Sequence, residues 1–197
     1  MSYKIIEIVP YNPEWPHWFE LVKLQLSNCI GDLALSIDHI GSTSVPGLGA
    51  KNRIDIQVTV EEISLKAKES IDRSLKMIGF GEVQVSRDHR PTFDIHSEDH
   101  WQKFYLTITK ETLDFSFNSN IHFRAKGKAN QIYPLLFRDY LRSHPSAAAA
   151  YQDIKEKLVL YHPHNIDAYC EIKDPACDLI MSAAQDWAKQ ISWSPLI

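Results

Sequence analysis

Apolar and polar positions alternate along this chain in two distinct rhythms. Trp15, Trp18, Phe19, Val22 and Leu26 recur at spacings of three and four, which predicts a helix over residues 14–30 that turns one stripe inward. Residues 54–60, IDIQVTV, alternate strictly, the pattern of a strand with one solvated or ligand-facing side. Shorter runs predict strands at 4–9, 35–41, 82–86, 102–109, 113–117 and 119–124. A helix is predicted over 61–78, with Glu61 and Glu62 suiting its positive end. Residues 87–100 are too polar for either rhythm and read as a loop. From Gln131 the chain becomes helical. One helix stops near His144–Pro145, because the residue before a proline avoids helical angles. A second runs through SAAAAYQDIKEKLVLY with Ser146 as its N-cap. A third covers 167–191 with an interruption expected at Pro175.

The fold class that follows is α+β: a mixed sheet with flanking helices and a helical C-terminal third. Residues 1–197 read as a single domain, with residues 1–128 as the α/β core and 129–197 as a helical extension. Apolar residues make up 44% of the 197 and charged residues 23%, close to the globular average, so the chain has the material for a full core. Net charge is −4. A global basic field that would draw the protein onto extended nucleic acid or an anionic membrane is therefore absent. Three cysteines, Cys29, Cys170 and Cys177, form no CxxC pair, which argues against a disulfide framework and points to a reducing, cytoplasmic setting. The N-terminal stretch has no signal-peptide core, and no apolar run is long enough to span a bilayer.

The chemistry concentrates in residues 39–58, HIGSTSVPGLGAKNRIDIQV. A strand ends at Ile40. Gly41 then removes a side chain, and Ser42, Thr43 and Ser44 offer three hydroxyls in succession. Glycine lets a ligand approach the backbone, and amides with hydroxyls suit phosphate oxygens. Lys51 adds a cation. Asp55 and Gln57 lie two apart on the alternating strand, so both point to one face. A hydroxyl turn, a cation and a strand-borne carboxylate together make a phosphate-and-metal constellation. The competing reading is a plain glycine–serine turn followed by an aspartate that caps a loop.

The string HIGSTSVPGLGAK, followed by IDIQV, resembles the signature of the GrpB family, a branch of the polymerase-beta-like nucleotidyltransferases. Tyr11, Asn12, Pro13 and Trp15 match the family's start, and SNIHFR, LLFRDYLRSHP and DAYCEIK resemble its later segments, so the likeness covers most of the chain. The resemblance implies a nucleotidyltransferase-like fold. It implies a nucleotide or other phosphorylated small molecule as partner, held by Gly41, Ser42, Thr43 and Ser44 with Lys51 and Gln57 beside them, while His39 either faces that pocket or locks the strand end by hydrogen bonding. It further implies Mg²⁺ on Asp55, and catalytic roles for Asp55 and His122. The superfamily pattern of acid, apolar, acid is Asp55, Ile56, Gln57 here, one carboxylate short. The resemblance is thus compatible with nucleotidyl transfer or with a degenerate member that binds without transferring. His122 stands where a third acid is expected. It reads either as a phosphate or acid–base residue or as a packed strand residue.

Further candidates are cationic. Arg138 and Arg142 are four apart and share a helix face, and Arg124 follows His122 closely. The resemblance adds Lys173 as a phosphate-binding lysine of the closing helix, beside the reading of a solvated surface residue. His89, His96 and His100 fall in one loop at spacings that match no standard zinc motif.

Overall fold

The structure is a computed structural model and describes residues 5–110 and 116–196. Five strands form one mixed sheet in the order β1-β2-β5-β4-β3: β1 (Ser36–Ile40), β2 (Arg53–Val60), β3 (Gln84–Arg87), β4 (Gln102–Ile108) and β5 (Asn118–Ala125). β2 and β5 run parallel at the centre, and the other pairs are antiparallel. The helices are α1 (Trp15–Ile30), α2 (Leu65–Met77), α3 (Ala129–Ser143), α4 (Pro145–Tyr161) and α5 (Ile166–Ile191).

One face of the sheet is dry. Ile54, Ile56, Val58, Ile121 and Phe123 pack there against Trp15, Phe19, Val22, Leu26 and Ile30 of α1 and against Ile71 and Leu75 of α2. The stripe read from the sequence is the stripe that is buried. Trp18 lies at its margin and stacks on Phe117 at 4.8 Å. A second core joins the loop after β1 (Val45, Leu48) to α3, α4 and α5 through Leu136, Leu141, Tyr151, Cys177 and Met181. That second core holds the helical C-terminal part against the edge of the sheet where the chemistry-bearing turn lies. Cys177 is within it, while Cys170 packs at the edge of a third, smaller cluster with Ile6, Leu158 and Tyr169. All three cysteines are free thiols.

Several element predictions need correction. Residues 5–8 form no strand, and only Val9 makes an isolated bridge, to Ala50. The apolar Ile6 is spent in the third cluster instead. α2 starts at Leu65, because the Ser64 side chain accepts the Ala67 amide and caps it; Glu61 and Glu62 precede the helix. α4 is opened by Pro145 at its first position with no side-chain cap, so Ser146 is not its N-cap. α5 runs unbroken through Pro175, whose flanks are held by the packing of Tyr169, Cys177 and Met181. The expected strand at 113–117 falls largely on 111–115, outside the described residues, and Phe117 lies before β5 begins.

Candidate functional site

The short turn at Ser42–Ser44 is a single 3-10 turn between β1 and the loop to β2. Gly41 enters it at φ +72, a backbone angle that favours glycine. A Cβ added there would stand 2.7 Å from Asp55 Oδ2, so glycine is required on two counts. The β1–β2 register explains the closeness, since Ile40 pairs with Asp55 across the ladder. The sequence placed Asp55 beside the turn, and the ladder puts it there.

The three hydroxyls do not act alike. Thr43 is buried and exchanges a hydrogen bond with His39 Nε2 at 3.0 Å. Ser44 is buried and donates to the Gly41 carbonyl at 2.6 Å. Ser42, half-buried, turns to α4 instead. Its Oγ accepts from Lys155 Nζ at 3.1 Å.

Lys155 is the residue that sequence reasoning missed. It comes down from α4, is 2% exposed, and donates to the Gly49 carbonyl as well as to Ser42. Its ammonium stands over the Tyr151 ring at 4.8 Å. Burial lowers its pKa to about 8, with Lys173 and Lys51 adding to the effect against Cys177 and Glu156. A signal was available, because Tyr151, Lys155 and Leu158 form one buried stripe on α4. A lysine on an apolar stripe asks for an explanation.

Lys51 and Lys173 join it. Lys51 stands over the Tyr169 ring at 4.9 Å, and its pKa is lowered by burial, with Lys173 and Arg53 pushing the same way. Lys173 pairs with Asp174 at 2.5 Å. Burial pulls its pKa down, but Cys177 and Asp174 outweigh that and raise it. Lys155 alone bonds the turn, and the charges of Lys51 and Lys173 both act on it.

On the other side lies Asp55. Its Oδ1 accepts from Asn120 Nδ2 at 2.8 Å, and His122 Nε2 is 3.6 Å away. Asn120, opposite Asp55 in the parallel ladder, is itself fixed by Arg53 and Tyr105. Burial alone would push the Asp55 carboxyl up. The His122 and Asn120 donors and the Lys51 charge outweigh it, so the group stays ionised. A third of the Asp55 side chain remains exposed (33%).

His122 is held at a pKa of about 4, chiefly by burial and then by Arg124. Lys103 Nζ is 3.2 Å from its Nδ1. An ammonium can only donate, so Nδ1 accepts and the proton sits on Nε2, towards Asp55. His39 is likewise lowered to about 4, mainly by burial.

Four predicted ligand contacts have other employment. Gln57 is fully buried, donates to the Gln131 carbonyl at 3.0 Å and accepts from Arg124 Nη1 at 2.8 Å. Arg124, 5% exposed, also grips both oxygens of Asp88. Both side chains are buried, and their polar atoms are committed to one another, Gln131 and Asp88. Arg138 donates to the His39 carbonyl, and Arg142 donates twice to the Ser44 carbonyl. The paired guanidinium groups therefore hold the turn's backbone from behind. Asp139 joins them as an ion pair with Arg138 at 2.7 Å. In the 87–100 loop, His89 pairs with Asp178 and His96 with Asp94, and no metal-binding group of three His, Cys, Asp or Glu occurs among the described residues.

The same donor count bears on magnesium. A two-metal centre needs several anionic oxygens in tight octahedral geometry. Asp55 supplies one carboxylate, the Gln57 oxygen is taken by Arg124, and the acceptor nitrogen of His122 is taken by Lys103. The residues present do not fit a two-metal set.

The family model described as "GrpB protein" matches residues 5–183. The chain belongs to the GrpB family. The crystal structure of the conserved protein GrpB from Enterococcus faecalis overlays with a TM-score of 0.70 at 27% identity, covering 92% of this chain and 99% of that one. A protein named "Dephospho-CoA kinase" from Mycolicibacterium paratuberculosis is 31% identical over 199 residues, 96% of this chain but 48% of its own length. This GrpB chain thus spans about half the length of such curated relatives, and the name belongs to the longer whole. The Cid1 poly(U) polymerase with MgGTP bound gives a TM-score of 0.47 at 18% identity, over 75% of this chain and 42% of that one, an overlap too slight to bear on function. No helix among the described residues is long and apolar enough to cross a membrane.

Proposed function

We propose that this GrpB chain binds a phosphorylated small molecule, a nucleotide first among the candidates, without transferring a nucleotidyl group. The observation that carries the reading is Lys155, a buried lysine aimed at the Ser42 hydroxyl, with Lys51 and Lys173 close enough to feel its charge. Holding the Lys155 ammonium out of water, with two further cations acting on it, costs free energy that an anion would return. Nucleotidyl transfer would need a second carboxylate, and the position for it is a buried glutamine bonded to Arg124 and Gln131.

The test is a thermal-shift panel of tripolyphosphate and the four ribonucleoside triphosphates, each with Mg²⁺ and with EDTA. A ligand at a hundred times its dissociation constant stabilises by about 2.7 kcal/mol. Stabilisation is expected in EDTA as well as in Mg²⁺, and Lys155→Met should remove it. A protein indifferent to every polyanion in the panel would end the proposal.

A further inference from the structure

The counter-charge of Asp55 is built into the protein. Lys103 and Asp88 form an ion pair at 2.5 Å, Asp88 also binds Arg124, and Lys103 reaches His122. His122 in turn faces Asp55. Two carboxylates, Asp55 and Asp88, thus stand against two buried cations, Lys103 and Arg124, with a neutral imidazole between them. Lys103 feels the charge of Asp55 directly, and Lys51 acts on it from the turn side. Asp55 has its compensation without a metal ion.

The two carboxylate oxygens differ. Asn120 and His122 both sit on Oδ1, while Oδ2 faces the Gly41 backbone at the entry to the turn. An ionised oxygen there repels phosphate. A ligand whose anionic end lies with Lys155 and Ser42 must present a hydrogen-bond donor to Oδ2, and among the described residues no group of three His, Cys, Asp or Glu gathers here to hold a cation instead.

We propose that Asp55 recognises a sugar hydroxyl: the ligand is a ribose-bearing phosphate, with its phosphates towards Lys155 and Ser42 and a free ribose hydroxyl donating to Asp55 Oδ2. This rests on the phosphate-binding reading above and adds the class of ligand. Asp55 is then a specificity-determining residue with no part in metal binding.

The experiment compares, in EDTA and in Mg²⁺, the affinities of the four ribonucleoside triphosphates, their 2′,3′-dideoxy counterparts and inorganic tripolyphosphate. It uses the wild-type chain, Asp55→Ala and Asp55→Asn. A hydrogen bond to a charged group implies a preference for ribose of about tenfold or more in wild type. Asp55→Ala should bring that ratio to about one while binding tripolyphosphate at least as tightly as wild type, since a repelling charge is gone. Asp55→Asn keeps the shape and the Asn120 contact, so it should show an intermediate ratio even if the alanine variant folds poorly. Equal ribose and dideoxyribose affinities in wild type overturn the inference, as does a preference that appears only with Mg²⁺ or survives in both variants. Binding of tripolyphosphate with no nucleotide bound also overturns it and leaves the phosphate reading standing. Failure of tripolyphosphate and nucleotides alike ends both.

Discussion

Lys155 Nζ lies 3.1 Å from Ser42 Oγ, across 113 residues of sequence. That contact joins the C-terminal helices to the turn after β1, and the ammonium also bonds the Gly49 carbonyl. The loop between strands and the α4 helix therefore share one buried cation. Removing it should show in binding first and in stability second.

Lys155 also sets a pH dependence. Its pKa of about 8 lies below the unfolded value, so the unfolded chain holds the extra proton between about 8 and 10.5. Stability from this group therefore rises with pH across that window. Anion binding needs the charged form, so tripolyphosphate affinity should fall above about pH 8, by at most about tenfold per pH unit for one proton. Calorimetric titrations at pH 7 and 9 on wild type and Lys155→Met check this. The variant should bind weakly and show a flat profile.

Gln57→Glu restores the acid–apolar–acid pattern on paper. In the structure it sets a carboxylate against the Gln131 carbonyl, which Gln57 Nε2 now reaches at 3.0 Å. The expected outcome is a loss of about 1–3 kcal/mol for an unsatisfied buried acceptor, with no gain in Mg²⁺ affinity. Urea midpoints and a Mg²⁺ titration report the two halves.

Gly41→Ala introduces a Cβ 2.7 Å from Asp55 Oδ2 at φ +72. Strain of this kind costs about 1–3 kcal/mol. The melting temperature should fall, and nucleotide binding should weaken more than tripolyphosphate binding, because the displaced side chain is Asp55.

Asp88 accepts from Lys103, Arg124 and Asn130. Burial alone would raise its carboxyl, but Arg124 and Lys103 hold it far below the usual range. Asp88→Ala leaves two buried cations without their acid and should cost about 3–5 kcal/mol, measured by denaturant unfolding at pH 7.

His39 and His122 are depressed to about 4 from 6.5. The unfolded chain takes up protons first as pH falls, so stability is fully present above about 6.5 and lost towards 4. Urea midpoints at pH 7.5, 5.5 and 4.5 should decline, and His122→Asn should decline less steeply.

The sequence was sufficient wherever the physics is local. Period and spacing located α1, β2 and the later strands, because an amphipathic stripe needs only its own neighbours to declare itself. The glycine–hydroxyl turn and Asp55 were legible for the same reason, and a two-residue offset in β2 put Asp55 and Gln57 on one face. Which of those side chains keeps a polar group uncommitted was decided by partners far away in the chain. Arg124 and Gln131 claim Gln57, the backbone carbonyls of His39 and Ser44 claim Arg138 and Arg142, and Asp88 reaches out of a polar loop to claim Arg124. Lys155 became part of the site only because α4 packs against the loop at Gly49. Hydrogen-bond capacity is finite and directional, so a residue's availability depends on every donor and acceptor the fold brings within reach, and that list is written in three dimensions.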